Sequence, residues 1–212
     1  MNYNPQDSKD RSKKYFEKLS SNYSNTFAGR YTEPMHSSLL QELEGKGFKV
    51  LLDVGCGIGT FLSMVLNKFD VKVSGIDISP GMIEKSKELL DDRADLKIGD
   101  SEHLPWIDKS FDIVTCNASF HHYPNPELVL KEMRRVLKQS GIVIIADPYI
   151  SNRLLRFLTN TFLHLSDSGD VKFYSKEEMK ELFEACGFIL IKWQIMGSHW
   201  KKYFISTARS NP

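Results

Sequence analysis

Cysteine is scarce in this chain. Cys56, Cys116 and Cys186 are far apart, odd in number and in no C-x-x-C pair. Such a set gives no disulfide framework. Each thiol follows or sits inside an apolar run, so buried free thiols in a reducing compartment are expected. An excess of one charge is also lacking. The 28 Lys and Arg against 27 Asp and Glu leave a formal net charge of +1. No strong field attracts an anionic membrane or nucleic acid, and no nucleic-acid partner is expected. No apolar run is long enough to span a bilayer, so membrane insertion is not expected. Met1 to Lys14 is polar and holds no apolar core of a secretory signal. The expected location is cytoplasmic. Repeats and low-complexity segments are absent from the sequence.

What is there is an ordinary globular balance, 41% hydrophobic and 26% charged, in 212 residues that suit one core. The most informative stretch is Leu51-Leu52-Asp53-Val54-Gly55-Cys56-Gly57-Ile58-Gly59-Thr60-Phe61-Leu62. An apolar run ends in an acid, three glycines follow at alternate positions, and apolar residues at helical spacing resume. This predicts a buried strand over about 49–54, a tight turn, and a helix from near Gly59. Glycine lets the backbone take unusual angles and lets a ligand approach. A glycine turn at the carboxyl end of the first strand of an α/β sheet is where such folds bind nucleotides.

From there strand and helix signals alternate. Strands are predicted over about 71–77, 95–100, 111–116 and 142–146. Helices are predicted over about 60–69, from the Ser79-Pro80 start to Leu90, and from Asn125-Pro126 to Lys138. Alternation of this kind builds a parallel sheet covered on both faces. Ahead of it, residues 1–10 read as a frayed tail. Residues 8–26 read as an amphipathic helix with Tyr15, Phe16, Leu19 and Tyr23 on one face, and residues 34–43 as a second helix. After Asp147 an apolar helical segment (Leu154, Leu155, Phe157, Leu158, Phe162) precedes the polar turn Ser166-Asp167-Ser168-Gly169-Asp170. Ser175 and Glu178 then form a capping box for a helix to Ala185. Strands over 188–196 and 200–208 close the chain as a hairpin around 197–199.

Asp53-x-Gly55-x-Gly57-x-Gly59 resembles motif I of the class I S-adenosylmethionine (SAM)-dependent methyltransferases. A dinucleotide fingerprint would place its third glycine at position 60, where Thr60 stands. The resemblance runs from about Lys49 to Ala208. It implies an α/β, doubly wound, seven-stranded Rossmann-like sheet, mostly parallel with an antiparallel last strand. The expected division is a helical cap over 1–45 and a SAM-binding domain over 46–212, with a helical lid insertion at about 148–174. Cap and lid, with Tyr149 and the apolar residues at 154–162, suggest a partly hydrophobic acceptor pocket.

Asp77 ends the second predicted strand, and its carboxylate can accept from both ribose hydroxyls of an adenosine, which suits NAD as well as SAM. The family resemblance implies adenine contacts for Asp100 and Ser101, packing of Ile78 and Met82 on the adenine, and Asn117 beside the methionine part. Met82 reads equally well as ordinary core. Tyr23 or Tyr31 would close over the ligand. Enzymes that methylate amino groups of nucleobases or glutamine carry Pro-Pro-aromatic after an acid or Asn. Asn117-Ala118-Ser119-Phe120 departs from this and resembles the small-molecule branch, including the quinone-biosynthesis type, which often has a similar His pair. Of His121 and His122, the second is the expected catalytic group, a proton acceptor or otherwise a structural histidine. No metal is expected, because adjacent histidines have no third ligand at suitable spacing in the chain. Asp147 faces the substrate or ties down the lid. The expected activity is methyl transfer from SAM to a small molecule, leaving S-adenosylhomocysteine (SAH). The alternatives are a SAM/SAH-binding protein without turnover, an NAD-dependent oxidoreductase, and an RNA or protein methyltransferase. The acceptor, the atom methylated and the oligomeric state have no sequence signal.

Overall fold

A computed structural model describes residues 4–198 and 201–211. Seven strands form one sheet: β1 (Val50–Val54), β2 (Lys72–Asp77), β3 (Ala94–Ile98), β4 (Phe111–Asn117), β5 (Leu137–Pro148), β6 (Phe188–Met196) and β7 (Tyr203–Ser210). Their spatial order is β3-β2-β1-β4-β5-β7-β6. β1 to β5 pair in parallel, and β7 runs antiparallel between β5 and β6. The α/β class, the seven strands and the antiparallel last strand are as the resemblance implied.

Among the described residues seven α-helices accompany the sheet: α1 (Pro5–Leu19), α2 (Phe27–Glu42), α3 (Thr60–Lys68), α4 (Pro80–Leu90), α5 (Pro126–Val136), α6 (Arg153–Phe162) and α7 (Lys176–Ala185). Alternate residues of each central strand feed two apolar layers. Leu52, Val114, Val143 and Ile145 pack with α5 and α7 on one face, while Leu51, Ile113 and Ile144 pack with α2 and α3 on the other. Both faces are covered, so β1 reads Val50-Leu51-Leu52 without alternation before Asp53. β1 lies between β2 and β4, and the strand order reverses there. That reversal opens a crevice at the carboxyl edge, where open α/β sheets bind ligands.

Local chemistry sets the starts of the helices that reach this edge. Ser79 Oγ accepts from Met82 N at 3.2 Å, with Pro80 at the first helical position. Ser175 and Glu178 form the reciprocal capping box. All three cysteines are buried free thiols.

Several boundaries differ from expectation. The tail is helical from Pro5, because the Asn4 side chain accepts from Gln6 N and caps α1. α2 starts at Phe27, capped by Thr26 on Gly29 N, and carries Pro34 inside it rather than at its first turn. β3 stops at Ile98, leaving Asp100 on the loop, and β5 begins at Leu137, with a register shift opposite Phe111. His199 and Trp200, placed in the terminal hairpin from sequence, lie outside the described residues. The largest difference is α6. Asn160 exchanges two hydrogen bonds with the Phe173 backbone, turning the polar face of α6 inward. Leu154, Leu155, Leu158 and Phe162, on the opposite side, are exposed, as is Phe157, and none of the five borders the cleft or the aromatic pocket described below.

Candidate active site

The carboxyl ends of β1, β2 and β4 border a cleft of about 740 Å³, part of it open to solvent. Gly55, Gly57, Asp77, Ile78, Met82, Asp100, Ser101, Asn117 and Tyr23 all line it. The glycine turn bends back through left-handed angles, φ 77° at Gly55 and 53° at Gly57. A Cβ at Gly55 would sit 2.2 Å from Ser119 Oγ, so no larger residue fits. A Cβ at Gly57 would meet nothing within 4 Å, which leaves its backbone bare toward the cleft. Gly59 serves differently. It lets the turn press on α4, where a Cβ would lie 2.3 Å from Ser86 Oγ, and it does not line the cleft.

Asp77 ties the turn to β2. Its Oδ2 accepts from Gly57 N at 2.9 Å and its Oδ1 from Ser79 N at 3.0 Å. Burial raises its proton affinity, against the pull of these amides. Asp100 Oδ2 receives Lys9 Nζ at 2.7 Å, and the same ammonium reaches Glu102 at 2.7 Å. Asp53 lies under the turn, in an adjoining hollow shared with Tyr23, His36, Gly55 and Asn117. It accepts from Thr115 Oγ1 at 2.7 Å, and burial pushes its carboxyl up to about 7. Burial likewise pushes the Tyr23 hydroxyl up to about 12. Asn117 Oδ1 is a buried acceptor with no hydrogen-bond partner. Next to it Ala118 takes a left-handed φ of 49°, held by Ala118 N donating to Ala146 O at 2.8 Å. Strain at a ligand edge of this kind is a mark of functional sites.

A second pocket of about 970 Å³ shares Phe16, Tyr23, Ala118 and His122 with the cleft. Phe27, Tyr31, Tyr149, Ile150 and Phe173 make most of its wall aromatic and apolar. His121 and His122 form the short 3-10 turn Phe120–His122 after β4, both buried. His121 Nδ1 lies 2.9 Å from Asp147 Oδ1, and the two rings are 4.0 Å apart. His121 gains proton affinity from Asp147 and Asp170 despite burial. Burial and the neighbouring His121 lower His122 to about 3, so its imidazole stays neutral. α1 roofs the cleft and the pocket: Phe16 packs edge-on against His122 at 5.1 Å, and Ser12 Oγ donates to Ser168 O at 3.0 Å.

The cleft fits an adenosyl amino acid. Asn117 offers an unpaired buried oxygen to an ammonium, Gly57 a bare backbone, and Asp77 a fixed carboxylate. A methyltransferase-domain family matches residues 52–145. The chain is 33% identical over 171 residues to a demethylmenaquinone methyltransferase of Staphylococcus aureus, covering 69% of this chain and 70% of that one. It is also 33% identical over 127 residues to the methyltransferase GfsG of Streptomyces halstedii, of whose length it covers 46% and which covers 58% of this chain. Among solved structures, the 1,6-didemethyltoxoflavin-N1-methyltransferase of Burkholderia thailandensis, with bound SAH, superposes with a TM-score of 0.77 over 100% of this chain and 92% of its own. At 17% identity that likeness is one of fold. The chain belongs to the SAM-dependent methyltransferases. It is a methyltransferase enzyme whose cofactor is SAM.

Of the residues singled out from sequence, Asp53 and Gly59 are set back from the main cleft, Tyr31 and His121 line only the second pocket, Asp147 is buried behind His121 and lines neither, and the others border the cleft. Sequence reasoning missed Lys9, Ser119, Tyr123 and Asp170, which also line the two spaces. Asp170 sits in a segment that reads only as a polar turn. Its proximity to the histidines comes from backbone bonds of Val171 N and Lys172 N to His121 O, at 2.8 and 3.1 Å. Nothing in the local sequence signals that pairing.

Proposed function

We propose that the second pocket takes a small, largely apolar acceptor, aromatic and bearing oxygen, and that this chain methylates it from SAM bound in the cleft. The single observation that carries the reading is the continuity of the two spaces at Ala118 and His122, where a polar cofactor cleft meets an aromatic-walled pocket. The demethylmenaquinone methyltransferase relative supports an acceptor of this class. In this reading Asp77 holds the ribose, and Asp100 and Ser101 hold the adenine, with Ile78 and Met82 packing on it. Gly55, Gly57, Asn117 and Asp53 hold the methionine part, and Tyr23 closes over it. Gly59 keeps the turn against α4. Residues 1–45 act as a cap on a SAM-binding domain of 46–212, and 148–174 act as a lid insertion. The chain works in the cytoplasm without a nucleic-acid partner.

SAM supplies an electrophilic methyl on its sulfonium when bound. What the protein does is align the acceptor and exclude water, and orientation of this kind is worth on the order of 7–11 kcal/mol. His122 stands at the junction as a neutral imidazole, suited to hold the acceptor rather than to store a proton. The test is calorimetry with SAH, with NADH as control, followed by a methyl-transfer screen that includes 1,4-naphthoquinol. SAH binding with turnover of an aromatic acceptor supports the reading. SAH binding with no turnover across the panel favours a binding protein, and binding of NADH alone overturns the cofactor assignment of the cleft residues.

A further inference from the structure

At the wall of the second pocket, two imidazoles and a carboxylate converge. His122 Nδ1 lies 3.1 Å from Asp170 Oδ1, and His121 Nε2 lies 3.6 Å from the same oxygen. One ligand atom from each of the three residues falls within 4.8 Å of the others. Two of the three are oriented from behind. The Asp147 carboxylate holds His121 through Nδ1, leaving Nε2 toward the cluster. Ser168 Oγ at 2.8 Å and Ser166 Oγ at 3.2 Å both donate to Asp170 Oδ2, leaving Oδ1 toward the imidazoles. His122 is 8% exposed, and its Nδ1 makes no hydrogen bond although Asp170 is near, so a buried ring nitrogen is left facing the cluster.

We infer that His121, His122 and Asp170 form a binding site for a divalent first-row transition-metal ion. Bonds of about 2.0–2.2 Å to nitrogen and oxygen put neighbouring ligand atoms roughly 3–4 Å apart, so small movements close this set around one ion. Two imidazoles with one carboxylate suit zinc, iron(II), cobalt or manganese, and not calcium or magnesium, which prefer oxygen. A carboxylate behind a ligating histidine, as Asp147 stands behind His121, is the usual outer support of such ions. Three protein ligands leave coordination positions open, and the neighbouring space is the aromatic pocket that Tyr31, Tyr149 and Phe173 line. An acceptor oxygen would take one of them. That last role rests on the proposed methyl-transfer reading, whereas the metal site stands without it.

The test uses the full chain, stripped with chelator and titrated with Zn(II) by calorimetry and with Co(II) by visible absorption. The expected result is one saturable site of micromolar or better affinity, with a Co(II) ligand-field band. Asp170→Asn and His122→Gln should each weaken it at least tenfold. Asp170→Asn should keep its thermal transition and its SAH binding, which shows that the fold survives. Absence of saturable uptake, or uptake that persists in both variants, overturns the site. SAH binding without metal uptake sinks only the metal. Metal uptake without SAH binding sinks the methyl-transfer reading and leaves the metal site.

Discussion

The cofactor cleft and the aromatic pocket touch, yet they are built by opposite means. The floor of the cleft is made of strand ends and one turn, and backbone pins its central groups: Asp77 by two amides, Ala118 by Ala146 O. The pocket is made of pieces far apart in the chain. Phe16 and Tyr31 come from α1 and α2, Tyr149 and Phe173 from either side of α6, and His122 from the turn after β4. A surface set by backbone tolerates few side-chain changes and serves one ligand. A surface set by loops and helices can be altered without disturbing the sheet, which is how one fold serves many acceptors.

If that division holds, the largest effect should fall at the junction. His122→Ala should lower kcat by about a hundredfold, as expected when the acceptor is misplaced by an ångström or so, while the SAH Kd moves less than threefold. Equal loss in both, read by turnover and calorimetry, would make His122 structural and blur the two regions. Next comes the cleft. Asp77→Ala should weaken SAH by about 10- to 100-fold, or 1.4–2.8 kcal/mol, as the charged acceptor and its tie to Gly57 go together. Unchanged affinity would remove Asp77 from the cofactor's contacts.

A third effect concerns the hollow beneath the turn. The folded Asp53 carboxyl titrates near 7, above its ordinary 3.8, so the native state holds a proton that the unfolded chain releases. Stability is therefore lost as pH rises from about 4 toward 7, and the loss is complete above that. Asp53→Asn lacks this penalty. Its stability relative to the parent, followed by thermal unfolding, should rise across that window and level off beyond it, by up to about 4 kcal/mol, the limit set by the distance from 3.8 to about 7. A flat difference across pH would show that Asp53 stays charged in the fold. The smallest effect is expected on α6, where Leu155→Ser should change stability by less than about 0.5 kcal/mol, since more than half of the residue is exposed. A large loss would mean that this face is covered in solution.

The same division explains what sequence could tell. The glycine spacing, Asp77 at a strand end and Asn117 at the end of β4 were legible because strand periodicity fixes where a strand stops, and the sheet edge is where strands stop. The capping box of α7 was legible for a similar local reason. Asp170 was not, because it reaches the histidines through amides of Val171 and Lys172, and any side chains there would give the same bonds. α6 misled in the other direction. Its apolar residues read as lid or core, but Asn160 binding the Phe173 backbone decided which side faces in. The tail failed as well, since its buried face is Ser8 and Ser12, small polar residues that carry no hydrophobic signal.

That serine face has a consequence for how the enzyme opens. Ser12 is fastened to Ser168, and a Cβ at Gly169 would sit only 2.4 Å from Ser12 Oγ. The roof and the loop bearing Asp170 are thus nested too closely to slide past one another, and Lys9 anchors the same helix to Asp100 and Glu102. Amide hydrogens of α1 and of residues 166–170 should therefore exchange with solvent as one cooperative unit, slowed together when SAH binds. On the cap-and-lid reading, product escape would wait on the release of both, and the rate of that single opening would set an upper limit on turnover.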